Sequence, residues 1–430
     1  MFWEKNIEMM APKALRSLQL KRLKSTVHTV YKKVKFYRER FREQGIKPGD
    51  ISSLDDLRKI PFTYIDDLRQ NYPFGLLATD RAQIARLHTS SGTTGKPKAI
   101  FFTRKDIDTA ANVMARCLTM TGLTKKDVFQ NMMSYGLFTG GLVMHYGAEK
   151  VGALVIPSAI GNTERQILLM RDFGTTSVHI TPSYALYLAD VFEKQHINPR
   201  KQLLLKRAYV GAEPHSEETR KKIEHLFGID VFNSYGLSEM NGPGVAFECP
   251  YKEGMHLWED NFIMEIIDPV TNEALPDGEE GELVLTTLLR EGMPVLRYRT
   301  RDLTRILPEK CRCGRTHRRI ARISGRVDDM FIVKGVNIFP QQIERVLMGI
   351  KGVGRNYFIE LTAYDSMVVK VELSKEMTVN SVQGLTNFRE HVQERLKMEI
   401  LVKPKVELHE PGALPVSEGK AKRVIDNRKL

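Results

Sequence analysis

The amino-acid sequence predicts an α/β protein. A large N-terminal α/β domain of several subdomains spans residues 1–325, and a small C-terminal α+β domain spans residues 326–430. Three observations lead there. Between Gln83 and Gly325 short β-rich runs alternate with helical patterns, as when strands of a largely parallel sheet are linked by crossover helices. After Arg326 the pattern changes: strand-like ValValLysValGluLeu (368–373) and ValGluLeu (406–408) flank and follow a helical stretch from Ser381 to Glu399. Finally, 430 residues exceed what one core organises at roughly 150 residues per domain.

The elements follow in order. Leu20, Leu23, Val27, Val30 and Val34 recur at spacings of three and four with Lys and Arg between them, which predicts an amphipathic helix packed on the main body. Gly45 to Gly49 closes that region, and LeuAspAspLeu (54–57) leads into a linking stretch through Pro61 and Pro73. The predicted strands are IleAlaArgLeuHis (84–88), AlaIlePhePheThr (99–103), GlyAlaLeuValIlePro (152–157), SerValHisIleThr (177–181), ArgAlaTyrValGlyAla (207–212) and ValPheAsnSerTyr (231–235).

Composition narrows the classes. With 42% hydrophobic, 8% aromatic and 27% charged residues, the chain is neither disordered nor collagen-like nor coiled coil. Its best apolar stretch, Gly140 to Ile160, is broken by His145, Glu149 and Lys150 and is not expected to span a membrane. The N-terminal segment carries Glu4 and Glu8 and lacks a basic region followed by an apolar run, so no secretory signal is expected. Four cysteines in 430 residues are no disulfide framework, and a cytoplasmic location is expected. The net charge of +13 favours anionic partners, nucleic acid or polyphosphate nucleotides. Without a zinc finger, an RNP-type aromatic motif or a basic zipper, nucleic acid is not the expected partner.

The most informative stretch is ThrSerSerGlyThrThrGlyLysProLys, Thr89 to Lys98. Ser90, Ser91, Gly92, Thr93, Thr94, Gly95 and Lys96 offer hydroxyls, backbone N–H groups and one ammonium to phosphate oxygens. It is not a Walker A loop: only two residues separate Gly92 from Gly95, and Pro97 follows Lys96 where Ser or Thr would ligate magnesium. A second cluster could bind a metal. Cys311 and Cys313 share a tight turn, and Cys249 precedes His256 by seven residues. If the segments meet, three thiolates and an imidazole make a tetrahedral structural zinc site, with His317 competing as the fourth ligand. Cys117 is expected to pack inside a helix.

The loop SerSerGlyThrThrGlyLysProLys, then NSYGLSE (233–239), YRTRDLT (298–304), SGRVDDMFIVKGVNIFPQQIE (324–344) and SEGKAKRVID (417–426) resemble, in this order, the adenylate-forming superfamily. YGLFTGGLVMHYGAE (135–149), YGLSEMNGPGVAFEC (235–249) and FYRERF (36–41) resemble, more narrowly, the phenylacetate-CoA ligase family. The resemblance implies the adenylate-forming enzyme fold with a mobile C-terminal lid, and a two-step reaction. A carboxylate attacks the α-phosphate of ATP, pyrophosphate leaves, and the thiol of coenzyme A takes the acyl group from the adenylate. Partners would be an aromatic carboxylate, ATP and CoA, with Mg2+; homodimers are common in that family.

The resemblance also implies roles. Glu239 ligates Mg2+ and Asp302 accepts hydrogen bonds from the ribose. Gly211, Ala212, Glu213 and Pro214, with Ser234, Tyr235, Gly236 and Ser238, form the adenine pocket. Arg326 joins the nucleotide site, Asp328 is the hinge, and Lys420 stabilises charge on the α-phosphate. Tyr135, Phe138, Gly140, Gly141, Tyr235, Gly236 and Pro243 line the acyl pocket, where an aromatic ring packs on aromatic side chains and glycines leave room. Two rivals remain inside the class: another aromatic acid, such as indoleacetate or benzoate, or another acceptor, such as a carrier-protein phosphopantetheine or a deazaflavin. Outside it stands a non-catalytic nucleotide- or nucleic-acid-binding protein.

Overall fold

The computed structural model describes residues 1–89, 97–363, 365–377, 381–415 and 422–428. The chain forms two compact units: Met1–Ala159 with Thr176–His179 and Phe232–Arg322, and Ile160–Thr175 with Ile180–Val231 and Ile323–Leu430.

In the first unit, helix Pro12–Lys33 starts with proline at its first turn, where the missing N–H costs nothing. It buries Leu15, Leu23, Val27 and Val30 along one face, and Val34 follows as its buried C-cap. Strands Ile84–Thr89 and Ala99–Thr103 pair with each other antiparallel, not within a parallel sheet, because the short connection between them permits only a hairpin. Parallel pairing appears where helices intervene: Val128–Asn131 pairs with Leu154–Ile156 on one side and with Ser177–His179 on the other. Helix Arg104–Met120 begins in a capping box, with Thr103 Oγ1 accepting from Asp106 N and Asp106 Oδ2 accepting from Thr103 N. Helix Thr139–Val151 packs on it through Gly147, where a Cβ would meet Met114 Cγ at 2.3 Å. Antiparallel pairing takes over in the strands that follow. The Asp230–Leu237 strand pairs with Gly242–Glu248, which continues through Met255–Leu257 and Arg319–Ile320 to Ile306–Leu307. A separate run joins Phe262–Ile267, Gly281–Thr287 and Tyr298–Thr304.

In the second unit, strand Arg207–Val210 accompanies helices Thr163–Asp172, Pro182–Lys194 and Glu217–Phe227. From residue 331 onward the predicted α+β pattern is present. A hairpin, Phe331–Val333 and Val336–Ile338, turns at Lys334 and Gly335, both left-handed (φ 51° and 77°), as a two-residue turn matched to strand twist requires. A four-stranded sheet follows, ordered Lys405–His409, Ser366–Leu373, Val353–Ala363, Val424–Asp426, antiparallel at its centre and parallel at both edges. Helices Pro340–Gly349 and Val382–Ile400 cover it, burying Ile343, Leu347, Val392 and Leu396 against Ile359, Val369 and Val371. Ser381 caps the second helix, accepting from Gly384 N. No helix among the described residues is long and apolar enough to cross a membrane.

Candidate active site

A tight turn, Ser238–Met240, joins strands Asp230–Leu237 and Gly242–Glu248. It closes through Asn241 and Gly242, both left-handed at φ 73° and 95°. The strands approach closely: a Cβ on Gly236 would meet Gly242 O at 1.8 Å, so this glycine makes room for the neighbouring backbone. The turn drives Glu239 inward, to 3% exposure. Its Oε1 contacts Lys98 Nζ and accepts from the Tyr298 hydroxyl at 2.9 Å. Burial opposes the charge, but the Lys98 ammonium beside it prevails and holds the carboxyl below its ordinary range. Glu239 is therefore a buried, ionised carboxylate.

One strand away, the Tyr235 hydroxyl donates to Asp302 Oδ2 at 2.6 Å, and Asp302 N donates to Thr300 Oγ1. Asp302 is buried within strand Tyr298–Thr304, beside Arg301 with its left-handed φ of 67°. Ser234 is buried and Pro243 half-buried. Ser238 Oγ accepts from Thr139 Oγ1 at 2.8 Å and so ties the turn to the first residue of helix Thr139–Val151.

That helix follows the segment Tyr135 to Phe138. Phe138 is exposed at 46%, Tyr135 is half-buried, and Gly140 has open space where a Cβ would stand. Gly141 is different: a Cβ there would meet Ser134 O at 2.3 Å, so its absence seats the helix start on the preceding chain. Burial pushes the Tyr135 hydroxyl up to about 12, so it stays protonated.

Several residues expected at the nucleotide lie in the second unit. Gly211 is buried, Ala212 is left-handed at φ 68°, and Ala212 and Pro214 are exposed. Glu213 Oε1 accepts from Ser183 N at 2.6 Å, in the first turn of helix Pro182–Lys194, where backbone N–H groups favour an anion. Arg326 and Asp328 form a two-point pair, Nε to Oδ1 and Nη2 to Oδ2, each 3.0 Å. Ser90, Ser91, Gly92, Thr93, Thr94, Gly95, Lys96 and Lys420 lie outside the described residues.

Lys98, Tyr298, Asn131 and His179 carry no role in the sequence reading. Lys98 closes the phosphate-loop motif, but nothing in its local pattern points to Glu239, 141 positions away. The same holds for Tyr298, whose pairing with Glu239 depends on two strands meeting.

The cysteine segments do meet. Ligand atoms of Cys249, His256, Cys311 and Cys313 lie within 4.8 Å of one another. Cys249 and Cys311 sulfurs are 3.6 Å apart, and Cys313 Sγ is 3.2 Å from His256 Nε2. His256 Nδ1 donates to His317 O at 3.1 Å, which leaves the Nε2 lone pair facing the sulfurs. A hydrogen bond from Cys249, aided by His256, pulls the Cys313 thiol down to about 2. His317 is not in the group: its Nδ1 accepts from Glu259 N at 2.9 Å and its Nε2 donates to Ile7 O at 3.0 Å. Cys117 is buried in helix Arg104–Met120 and accepts from Trp258 Nε1.

A buried, ionised glutamate at a strand-to-strand turn, beside a tyrosine–aspartate pair, accompanies two family matches. Residues 13–288 match the AMP-binding enzyme family, and residues 335–428 match the AMP-binding enzyme C-terminal domain. The chain belongs to the AMP-binding enzymes of the adenylate-forming superfamily. It is 47% identical over 428 residues to phenylacetate-coenzyme A ligase from Aromatoleum evansii, covering 98% of this chain and 96% of that one. It is 44% identical over 446 residues to the enzyme of that name from Thermus thermophilus, covering all of both. Within the superfamily the chain is a member of the phenylacetate-CoA ligase family. Among solved structures, 2-hydroxyisobutyryl-CoA ligase in a postadenylation state with its acyl-AMP matches at TM-score 0.94 and 29% identity, over 99% of this chain and 92% of that one. The same ligase with acyl-AMP and CoA in its thioesterification state matches at TM-score 0.74, over 100% of this chain and 93% of that one.

Proposed function

We propose that the protein makes phenylacetyl-CoA from phenylacetate, ATP and coenzyme A. The observation that carries the reading is buried Glu239, its charge met by Lys98 and Tyr298, next to Tyr235 and Asp302 in a chain of this family. A carboxylate oxygen of phenylacetate attacks the α-phosphorus of ATP, and pyrophosphate leaves with the electrons of the broken P–O bond. The sulfur of coenzyme A then attacks the acyl carbonyl, and AMP leaves.

Each step manages negative charge. Ser90 to Lys96 are the residues for the β- and γ-phosphates. Glu239 is a fitting ligand for Mg2+, a hard cation shared between protein carboxylate and nucleotide, and it would exchange the Lys98 ammonium for the metal. Asp302 accepts from the ribose hydroxyls. Ser234, Tyr235, Gly236 and Ser238 serve the adenine, and Gly211 to Pro214 carry the same role in the second unit. Tyr135, Phe138, Gly140, Gly141 and Pro243 take the aromatic ring.

Lys420, on a lid of residues 326–430, completes the first step. Asp328 is the hinge about which that lid turns between steps; the two states known for 2-hydroxyisobutyryl-CoA ligase support this reading.

Cys249, His256, Cys311 and Cys313 hold a structural zinc. Three soft sulfurs and an imidazole lone pair fixed by its other nitrogen suit that ion, and four protein ligands leave no open position for catalysis. Thiolates that hold a metal must stay reduced, which suits the cytoplasm as the location.

The test is ATP- and Mg-dependent pyrophosphate release over a panel of aromatic and aliphatic acids, with and without CoA. Phenylacetate should stand out and turnover should require CoA; a different preferred acid or CoA-independent turnover would overturn the reading. Lys420→Ala should slow adenylation about 100-fold or more while thioester formation from pre-made acyl-adenylate continues. Equal loss of both half-reactions would remove Lys420 from that role.

A further inference from the structure

Asn131 ends strand Val128–Asn131, fully buried, and no part of the reaction described above uses it. Its side-chain nitrogen lies 2.7 Å from Gly141 O and 2.8 Å from the Tyr135 hydroxyl, and its oxygen lies 2.9 Å from His179 Nδ1. A carbonyl can only accept, so the amide atom facing Gly141 is the NH2 group. Every proton in the chain of contacts is then assigned. Asn131 gives one N–H to Gly141 and the other to Tyr135. Its oxygen must receive a proton, so His179 carries hydrogen on Nδ1. The Tyr135 hydroxyl, already accepting, donates to His145 Nδ1 at 3.1 Å, and His145 Nε2 donates to Glu149 Oε1 at 2.9 Å.

The bonds of Asn131 to His179 and Tyr135 do not reverse with pH. Burial pushes His179 down to about 3, so it stays a neutral donor, and the Tyr135 hydroxyl keeps its proton. While His145 is neutral, the Tyr135 proton is committed to its Nδ1, and Tyr135 has only a lone pair to offer a bound acid.

The contacts also explain how an exposed segment keeps its shape. The Leu137 and Phe138 side chains are 55% and 46% exposed, and the chain between the ends is held at its backbone, where Leu137 O accepts from Thr89 N at 3.0 Å. Asn131 grips the two ends, at residue 135 and at residue 141. Its own backbone is fixed from behind, its carbonyl accepting from Ala159 N at 3.0 Å and Ser158 Oγ at 3.1 Å.

We propose that Asn131, backed by His179, is the positioning residue of the acyl pocket, holding Tyr135 to Gly141 in the shape that receives the aromatic acid. The proposal rests on the acyl-pocket reading of that segment. It acts through the pocket wall, so it should govern affinity for the acid and leave ATP alone.

The experiment measures pyrophosphate release by the full-length protein, varying phenylacetate and ATP independently. Asn131→Leu, of similar size without the amide, should raise KM for phenylacetate about tenfold or more and leave KM for ATP within about twofold. His179→Leu should do the same. His179→Asn, which restores an N–H near the Nδ1 position, should recover most of the loss. Should Asn131→Leu fail to fold, the two His179 variants decide alone. Equal rises in both KM values, or a His179→Asn no better than His179→Leu, would overturn the proposal. Phe138→Ala separates the two levels. If it raises KM for phenylacetate while the Asn131 and His179 variants do not, only this inference falls; if it leaves that KM unchanged, the pocket reading and this inference fall together.

Discussion

Two of the polar clusters buried in the first unit handle charge in two different ways. Glu239 sits at 3% exposure with a counter-ion from its own chain, Lys98, and a hydroxyl donor, Tyr298. The Cys249, His256, Cys311 and Cys313 group instead points three sulfurs and one imidazole nitrogen at a common centre. The first arrangement is complete by itself, a carboxylate met by an ammonium and a hydroxyl of the same chain. The second is a set of electron-pair donors whose mutual repulsion, once the thiols ionise, a cation from outside would relieve.

The comparison can be broken or sharpened at three points. The largest effect belongs to the cysteine group. Protein purified without added metal should carry about one zinc per chain, and Cys311→Ser should lose it with a stability loss of about 5 kcal/mol or more, because the binding energy of a structural metal is folding energy. Metal analysis and chemical denaturation read this out, and a zinc-free wild type of full stability would remove the ion. Next comes Lys98→Ala, which strands a buried carboxylate and should cost about 3–5 kcal/mol, recovered in large part by adding Glu239→Gln. A double variant no more stable than Lys98→Ala would show that the pair does not carry that energy.

The smallest effect concerns a buried group with no charge. His179 titrates near 3 when folded and near its ordinary 6.5 when unfolded, because burial disfavours the imidazolium. The unfolded chain therefore binds a proton below pH 6.5 that the folded chain refuses, and stability falls as pH drops through that window. Between pH 7 and pH 5 the loss from this residue should be about 2 kcal/mol, and His179→Asn should flatten that limb of the stability profile. An unchanged limb would place the titration elsewhere.

Much of this was legible before any coordinates. The stretches read as strands at 84–88, 99–103, 177–181, 207–212 and 231–235 correspond to strands, since β-branched and aromatic runs bounded by turn residues leave few alternatives. The stretch read as helix from Ser381 is a helix capped by that serine. Pairing direction was less legible: the first two strands form a hairpin, and the strands at 262–267 and 281–287, which carried no motif, went unread. Within the site, Glu239, Asp302 and Tyr235 stand out in the sequence because they sit in ordered motifs. Lys98 was quoted inside its motif without a role, and Asn131 and His179 were invisible because Asn and His on β-rich runs look like any other polar residue.

By itself, then, the sequence determined the element types, the order of the motifs and the chemistry each could perform, because periodicity, turn residues and charge act over a few neighbouring positions. Only the tertiary structure decided which distant groups meet. It chose His256 over His317 beside the cysteines, since both nitrogens of His317 are bound to backbone groups elsewhere. It paired Lys98 with Glu239 across 141 positions and set His179 behind Asn131 across 48. Such meetings depend on strand pairing and on the need to satisfy each buried polar group, and neither leaves a pattern in local spacing.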